Sequence, residues 1–118
     1  MIAVKGKTLV GLVENIEIKG NVFKAKIDTG AAKSSIDVRL AAKLGLGPII
    51  GYKGVRSVSG RGVRPVINIH FKIRGRKMCY SFNVTDRKKM MHKVLIGQNI
   101  LRKNFLIDPS LLKHPAKK

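Results

Sequence analysis

Asp28 is the residue best placed to do chemistry. It ends the run Val22 to Ile27 (V-F-K-A-K-I), whose alternation puts apolar side chains on one face, the signature of a half-buried strand. Thr29, Gly30 and Ala31 follow. Gly30 permits a close backbone approach, and the Thr29 hydroxyl can tie one loop to another. A carboxylate held in such a turn at the edge of the interior is a candidate for acid–base work. The same residues also fit an Asx-type turn with no chemical role. The other acids have less promising settings. Glu14 and Glu17 fall inside a strand pattern, Asp37 precedes a helical pattern, Asp86-Arg87 reads as a local ion pair or as help to a substrate or ligand site, and Asp108-Pro109 reads as structural. His70, His92 and His114 are far apart, and Cys79 is the single cysteine. This is not metal-ligand spacing, so neither a metal nor a cofactor is expected. No Gly-x-x-x-x-Gly-Lys phosphate loop occurs.

The elements that must position Asp28 are mostly short strands. Thr8 to Lys19 reads as one strand, Gly20-Asn21 as a turn, and Val22 to Ile27 as the return strand of a hairpin. Ser35-Ile36 restarts a strand. Asp37 is set to cap a short helix from Val38 to Leu44, ended by Gly45 or Gly47. Tyr52 to Val58 and Val63 to Ile73 form a long hairpin with the glycine-rich tip Ser59-Gly60-Arg61-Gly62. Arg74-Gly75-Arg76 is a second turn, leading into a strand from Met78 to Val84. A polar, basic loop from Thr85 to His92 precedes the buried-type strand Val94-Leu95-Ile96, which Gly97 stops. Asn99 to Lys103 reads as a short helix and Phe105-Leu106-Ile107 as the last strand. This pattern predicts an all-β fold, a small closed barrel with one or two short helices. Residues 1–112 are expected to form one domain, with 113–118 a disordered basic tail. With no Trp and 5% aromatic residues, the core must be aliphatic.

Two pieces of the chain resemble the retropepsins, the single-lobed aspartic proteases. K-A-K-I-D-T-G-A is similar to their catalytic strand, and V-L-I-G-Q-N-I-L to their second signature. A closer resemblance extends over roughly Leu9 to Leu112. It rests on Asp28-Thr29-Gly30-Ala31, Ser57-Val58-Ser59-Gly60, Arg64-Pro65-Val66-Ile67, Thr85-Asp86-Arg87, Leu95-Ile96-Gly97 and Phe105 to Pro109. These motifs resemble the family known as ATP-dependent zinc proteases, which is associated with ATP-grasp glutamate ligases. The resemblance implies a retropepsin-like acid-protease barrel acting as a homodimer, with Asp28 catalytic. It implies that Thr29, Gly30 and Ala31 shape the active-site loop, that Leu95, Ile96 and Gly97 pack behind it, and that Ser59, Gly60, Arg61 and Gly62 form a flap over substrate. Two positions depart from the retroviral pattern. An acid two places beyond the loop glycine and an Arg just after the second-signature glycine are here Ala32 and Gln98. Both members of that pair have changed together. Lys33 puts a positive charge beside a substrate subsite.

One carboxylate cannot act as acid and base at once. Two close carboxylates sharing a proton can, because like charges so near cannot both ionise. A chain with one Asp-Thr-Gly must take its second from a two-fold partner. The expected activity is therefore that of an aspartic-type endopeptidase, a hydrolase using an activated water. Arg56, Arg61, Arg64 and Lys33 would favour acidic or glutamate-rich peptides.

The charge suggests an alternative. With 25 Lys and Arg against 6 Asp and Glu, the formal net charge is +19, and no acid stands between Asp37 and Asp86. Such a field attracts polyanions. The second reading is a catalytically silent basic β-barrel that binds RNA, a ribosome or an acidic protein, although the interleaved aromatics of single-strand binders are missing. Nucleic acid is thus a second candidate partner. No apolar run approaches membrane-spanning length, so no membrane association is expected. No secretory leader is evident before Val13 and no intrachain disulfide can form, so the cytoplasm is the expected location.

Overall fold

A computed structural model describes residues 6–57 and 60–111. The strands are β1 (Thr8–Val10), β2 (Val13–Ile18), β3 (Asn21–Ile27), β4 (Ser34–Asp37), β5 (Ile49–Ser57), β6 (Gly60–Ile73), β7 (Arg76–Thr85), β8 (Val94–Ile96) and β9 (Phe105–Ile107). The helices are α1 (Val38–Lys43) and α2 (Gln98–Leu101).

Six strands pair in the order β2-β3-β8-β4-β7-β6, and β6 returns to β2 at Ile16↔Ile73 and Glu17↔Lys72. The ring is thereby closed, and β5 hangs outside it on β6 alone. The expected small closed barrel with two short helices is what forms. Pairs β3–β8 and β4–β7 are parallel, and the remaining pairs of the ring are antiparallel. A separate two-stranded parallel sheet joins β1 to β9.

Alternation decides which face packs inward. In β6, Ile67, Ile69, Phe71 and Ile73 are buried between exposed or half-buried neighbours. They meet Ile16, Ile18, Ala25, Ile36, Phe82, Val94 and Ile96 in one aliphatic core. Phe71 and Phe82 cross edge to face at 5.5 Å, a favoured aromatic geometry. Val94, Leu95 and Ile96 are all buried, as a short continuous apolar run predicts.

The turns follow their chemistry. Arg74 and Gly75 both have positive φ, the condition for a type I′ hairpin. Arg74 is not a glycine, but its guanidinium is held by Glu14 through bonds of 3.1 and 3.3 Å. Asp37 caps α1 as expected, accepting the N–H groups of Arg39 and Leu40. The helix ends where Gly45 turns to φ +64°, and the Gly45 and Leu46 N–H groups return to the carbonyls of Ala42 and Ala41. That is a Schellman motif.

Several boundaries differ from the sequence reading. The expected strand Thr8 to Lys19 is broken at Gly11-Leu12 into β1 and β2. The Gly11 N–H donates to Glu14 Oε2 at 2.7 Å, and a Cβ on Gly11 would collide with the Leu111 carbonyl. The break is therefore set by tertiary contacts. β5 starts at Ile49 rather than Tyr52, and β6 at Gly60 rather than Val63. Gly60, Arg61 and Gly62, expected at the hairpin tip, pair instead with Ser57, Arg56 and Val55. Ser59 and residues 113–118 lie outside the described residues.

Candidate active site

Asp28 directly follows β3. Its N–H donates to the Ile96 carbonyl on β8 at 2.9 Å, so the first residue past the strand is still tied to the barrel. The chain then turns tightly. The Gly30 N–H donates to Asp28 Oδ1 at 2.9 Å, and the Ala31 N–H to the Asp28 carbonyl at 3.3 Å. One carboxylate oxygen is thus fixed by the backbone, and the side chain is half-buried.

The loop is clamped from behind by the start of α2. The Gln98 and Asn99 N–H groups donate to the carbonyls of Ala31 and Ala32 at 2.8 and 3.2 Å. Gln98 Nε2 donates to the Thr29 carbonyl at 2.7 Å. Gln98, at the position where retroviral enzymes carry Arg, therefore holds the loop through a neutral amide. Gly97 is packed so tightly that a Cβ would fall 2.5 Å from the Lys33 carbonyl oxygen and 2.7 Å from that of Ala31. Only glycine fits there.

Two side chains that the sequence did not single out complete the clamp. Buried Ser34 Oγ accepts the Gly97 N–H at 2.9 Å and donates to Asn99 Oδ1 at 2.8 Å. Asn99 Oδ1 also accepts the Ser34 N–H, and its Nδ2 donates to the Ser81 carbonyl on β7. Ser34 and Asn99 lie 65 residues apart, so no local pattern reveals the pair.

Among the described residues, Asp28 differs from the other five acids. Glu14 pairs with Arg74, Glu17 with Lys72, and Asp37 and Asp86 both with Arg39. Asp108 accepts the Ser110 hydroxyl and N–H, which holds its carboxyl below the usual range. Among the described residues Asp28 has no ion pair, and the Gly30 N–H is its one hydrogen-bond donor. Burial pushes Asp37 up, but the N–H bonds from Arg87 and Leu40 and the charge of Arg39 outweigh this and leave it lowered.

The expected Asp86–Arg87 pair does not form. The Lys88 N–H and Arg39 both reach Asp86 and lower its carboxyl. Arg87 turns inward instead and is 7% exposed. Leu95 pairs with Lys26 and Ser35 on the neighbouring strands, and Ile96 accepts the Asp28 N–H. Lys33 is exposed at its far end, and Arg56, Arg61 and Gly62 lie on the β5–β6 hairpin. The zinc in the name of the resembled family would need a ligand set. Among the described residues no three His, Cys, Asp or Glu side chains gather as one. The described residues therefore do not fit a metal. No helix among them is long and apolar enough to cross a membrane.

A closed barrel carrying an Asp-Thr-Gly turn backed by a hydrophobic-hydrophobic-Gly strand is the architecture of a retropepsin-like acid protease. The family model described as "gag-polyprotein putative aspartyl protease" matches residues 15–103, and the chain belongs to that family. A search of curated proteins gave no significant match. Among solved structures, the chain is similar to Lpg0085 of Legionella pneumophila, a protein of unknown function. That likeness has TM-score 0.62 and 19% identity over 87% of this chain and 94% of the other. The chain is also similar to the protease of simian foamy virus, with TM-score 0.61 and 20% identity over 88% of this chain and 99% of the other.

Proposed function

We propose that this chain is one protomer of a homodimeric aspartic endopeptidase, in which Asp28 from each protomer forms the catalytic dyad. The observation that carries this reading is the setting of Asp28. Like Asp108 it forms no ion pair among the described residues, but where Asp108 is tied up by both donors of Ser110, Asp28 accepts a single N–H in a loop that β8 and α2 clamp, within a fold of the protease family. Ion-paired carboxylates serve structure, whereas one left for a second carboxylate can share a proton with it. In the dimer the ionised member takes a proton from water as that water attacks the peptide carbonyl. The protonated member supports the oxygen and then protonates the leaving nitrogen. The β5–β6 hairpin closes over the peptide and excludes water. The cations of that hairpin and Lys33 favour acidic peptides, in keeping with the resemblance of the chain's motifs to a family associated with glutamate ligases.

The charge supports a second reading, a catalytically silent barrel that binds RNA, ribosome or acidic protein. One experiment separates the two. Wild type and Asp28→Asn at high concentration are incubated with a diverse peptide library from about pH 3 to 8, the range in which a carboxylate dyad titrates. Cuts are mapped by mass spectrometry. Cuts by wild type that vanish in the variant establish the protease. Empty maps from both, with the protein dimeric and RNA affinity falling steeply with salt, would leave the binding module.

A further inference from the structure

Arg87 has no part in the loop clamp and, in place of the expected local pair with Asp86, turns inward to 7% exposure. Its Nε donates to the His92 carbonyl at 2.9 Å, its Nη1 to Ser35 Oγ at 3.3 Å, and its backbone N–H to Asp37 Oδ1 at 2.7 Å. The remaining amino group, Nη2, makes no bond among the described residues. No buried side-chain nitrogen there lacks a partner, so Nη2 reaches solvent.

The sheet register shows where it opens. Ser35 lies opposite Leu95, and Leu95 lies opposite Lys26. Residues in one row share a face of the sheet. Asp28 comes two residues after Lys26 and so lies on that same face. Arg87, seated on Ser35, therefore roofs the face that presents Asp28. The charges it senses agree: Arg64 on β6 repels it, while Asp28 and Asp37 attract it. The oxygens of Asp37 are already taken by Arg39, Leu40 and the Arg87 backbone. Asp28 is reserved for the dyad. A cation buried except for one amino group, beside a like charge and with no ion pair of its own among the described residues, is poised to accept an anion.

We infer that Arg87, together with Arg64, forms a specificity subsite that receives a carboxylate side chain of the peptide next to the bond cleaved at Asp28. This rests on the protease reading above. A guanidinium edge suits a carboxylate because it offers directed N–H donors as well as charge.

The test uses a peptide that wild type cuts, with Glu exchanged for Gln at each position flanking the cut. The Glu/Gln ratio of kcat/KM is measured for wild type, Arg64→Gln, Arg87→Lys and Arg87→Met, and melting curves are recorded alongside. Wild type should prefer Glu at one position by about 10- to 100-fold, the scale of a charge-assisted hydrogen bond. The ratio should fall toward one in Arg64→Gln and Arg87→Met and be partly kept in Arg87→Lys. If Arg87→Met does not fold, Arg64→Gln decides, since Arg64 makes no hydrogen bond among the described residues. A wild-type ratio near one, or an undiminished ratio in Arg64→Gln, overturns the subsite while leaving the protease intact. A wild type that cuts nothing removes both.

Discussion

Gly97 lies against the backbone of Lys33 so closely that a methyl group on its Cα would stand 2.5 Å from the Lys33 carbonyl oxygen. The obstruction is backbone and cannot rotate away. Gly97→Ala should therefore push the residue 28–33 loop off α2 and lower stability by roughly 2–3 kcal/mol, the cost of overpacking a tight interior. Chemical denaturation checks this. The same variant should lose peptidase activity at temperatures where it is still folded.

Ser34→Ala tests the clamp from the other side. The methyl fits, but the buried Gly97 N–H loses its acceptor and Asn99 Oδ1 loses a donor. Leaving a buried polar group unpaired costs about 1–3 kcal/mol. A thermal melt should show that loss. Ser34→Thr keeps the hydroxyl and should recover most of it if the branched side chain fits.

Asp37 joins the cap of α1 to the Arg87 backbone. Its folded carboxyl lies below the ordinary value, so the proton binds the unfolded chain more tightly. The resulting stability is present above about pH 4 and drains away as pH falls through and below the unfolded value. Asp37→Asn should cost roughly 1–3 kcal/mol at pH 7, because its amide oxygen can still cap α1 but its NH2 group replaces the second acceptor oxygen and the charge that Arg39 and the Arg87 N–H meet. It should cost much less near pH 3. Denaturation midpoints of both proteins across this range give the answer, and a pH-independent difference would contradict the assignment.

Asp28→Asn should leave the melting temperature nearly unchanged, because its carboxylate accepts a single N–H that an amide oxygen can also accept. It should lower peptide cleavage by at least about 100-fold, the low end of acid–base contributions. Specific activity of wild type should also fall as the protein is diluted below its dimer dissociation constant. Activity independent of concentration, in a protein shown to be monomeric by ultracentrifugation, would argue against a shared dyad.

What the sequence reveals depends on whether the cause is local. The Asp37 cap was legible because a capping residue acts on the next two N–H groups. β8 was legible because an apolar run between polar loops has few other uses. Asp28 was legible through its glycine turn. The break at Gly11-Leu12 was hidden because apolar residues continue on both sides of it, while Leu111, which packs against Gly11, lies a hundred positions away. The Ser34–Asn99 pair was hidden for the same reason. Arg87 was hidden by its neighbours: in Asp86-Arg87-Lys88-Lys89 nothing local separates the arginine that turns in from the lysines that stay out.

β5 stands outside the ring, paired to β6 alone. Every other strand of that sheet has at least two neighbours, so releasing β5 breaks no bond that closes the barrel. Opening this edge is then a sub-global event, far cheaper than unfolding, and its amides from Ile49 to Ser57 should exchange with solvent long before those of β8. The hairpin and the clamped loop should then open as separate units, one fast and one slow.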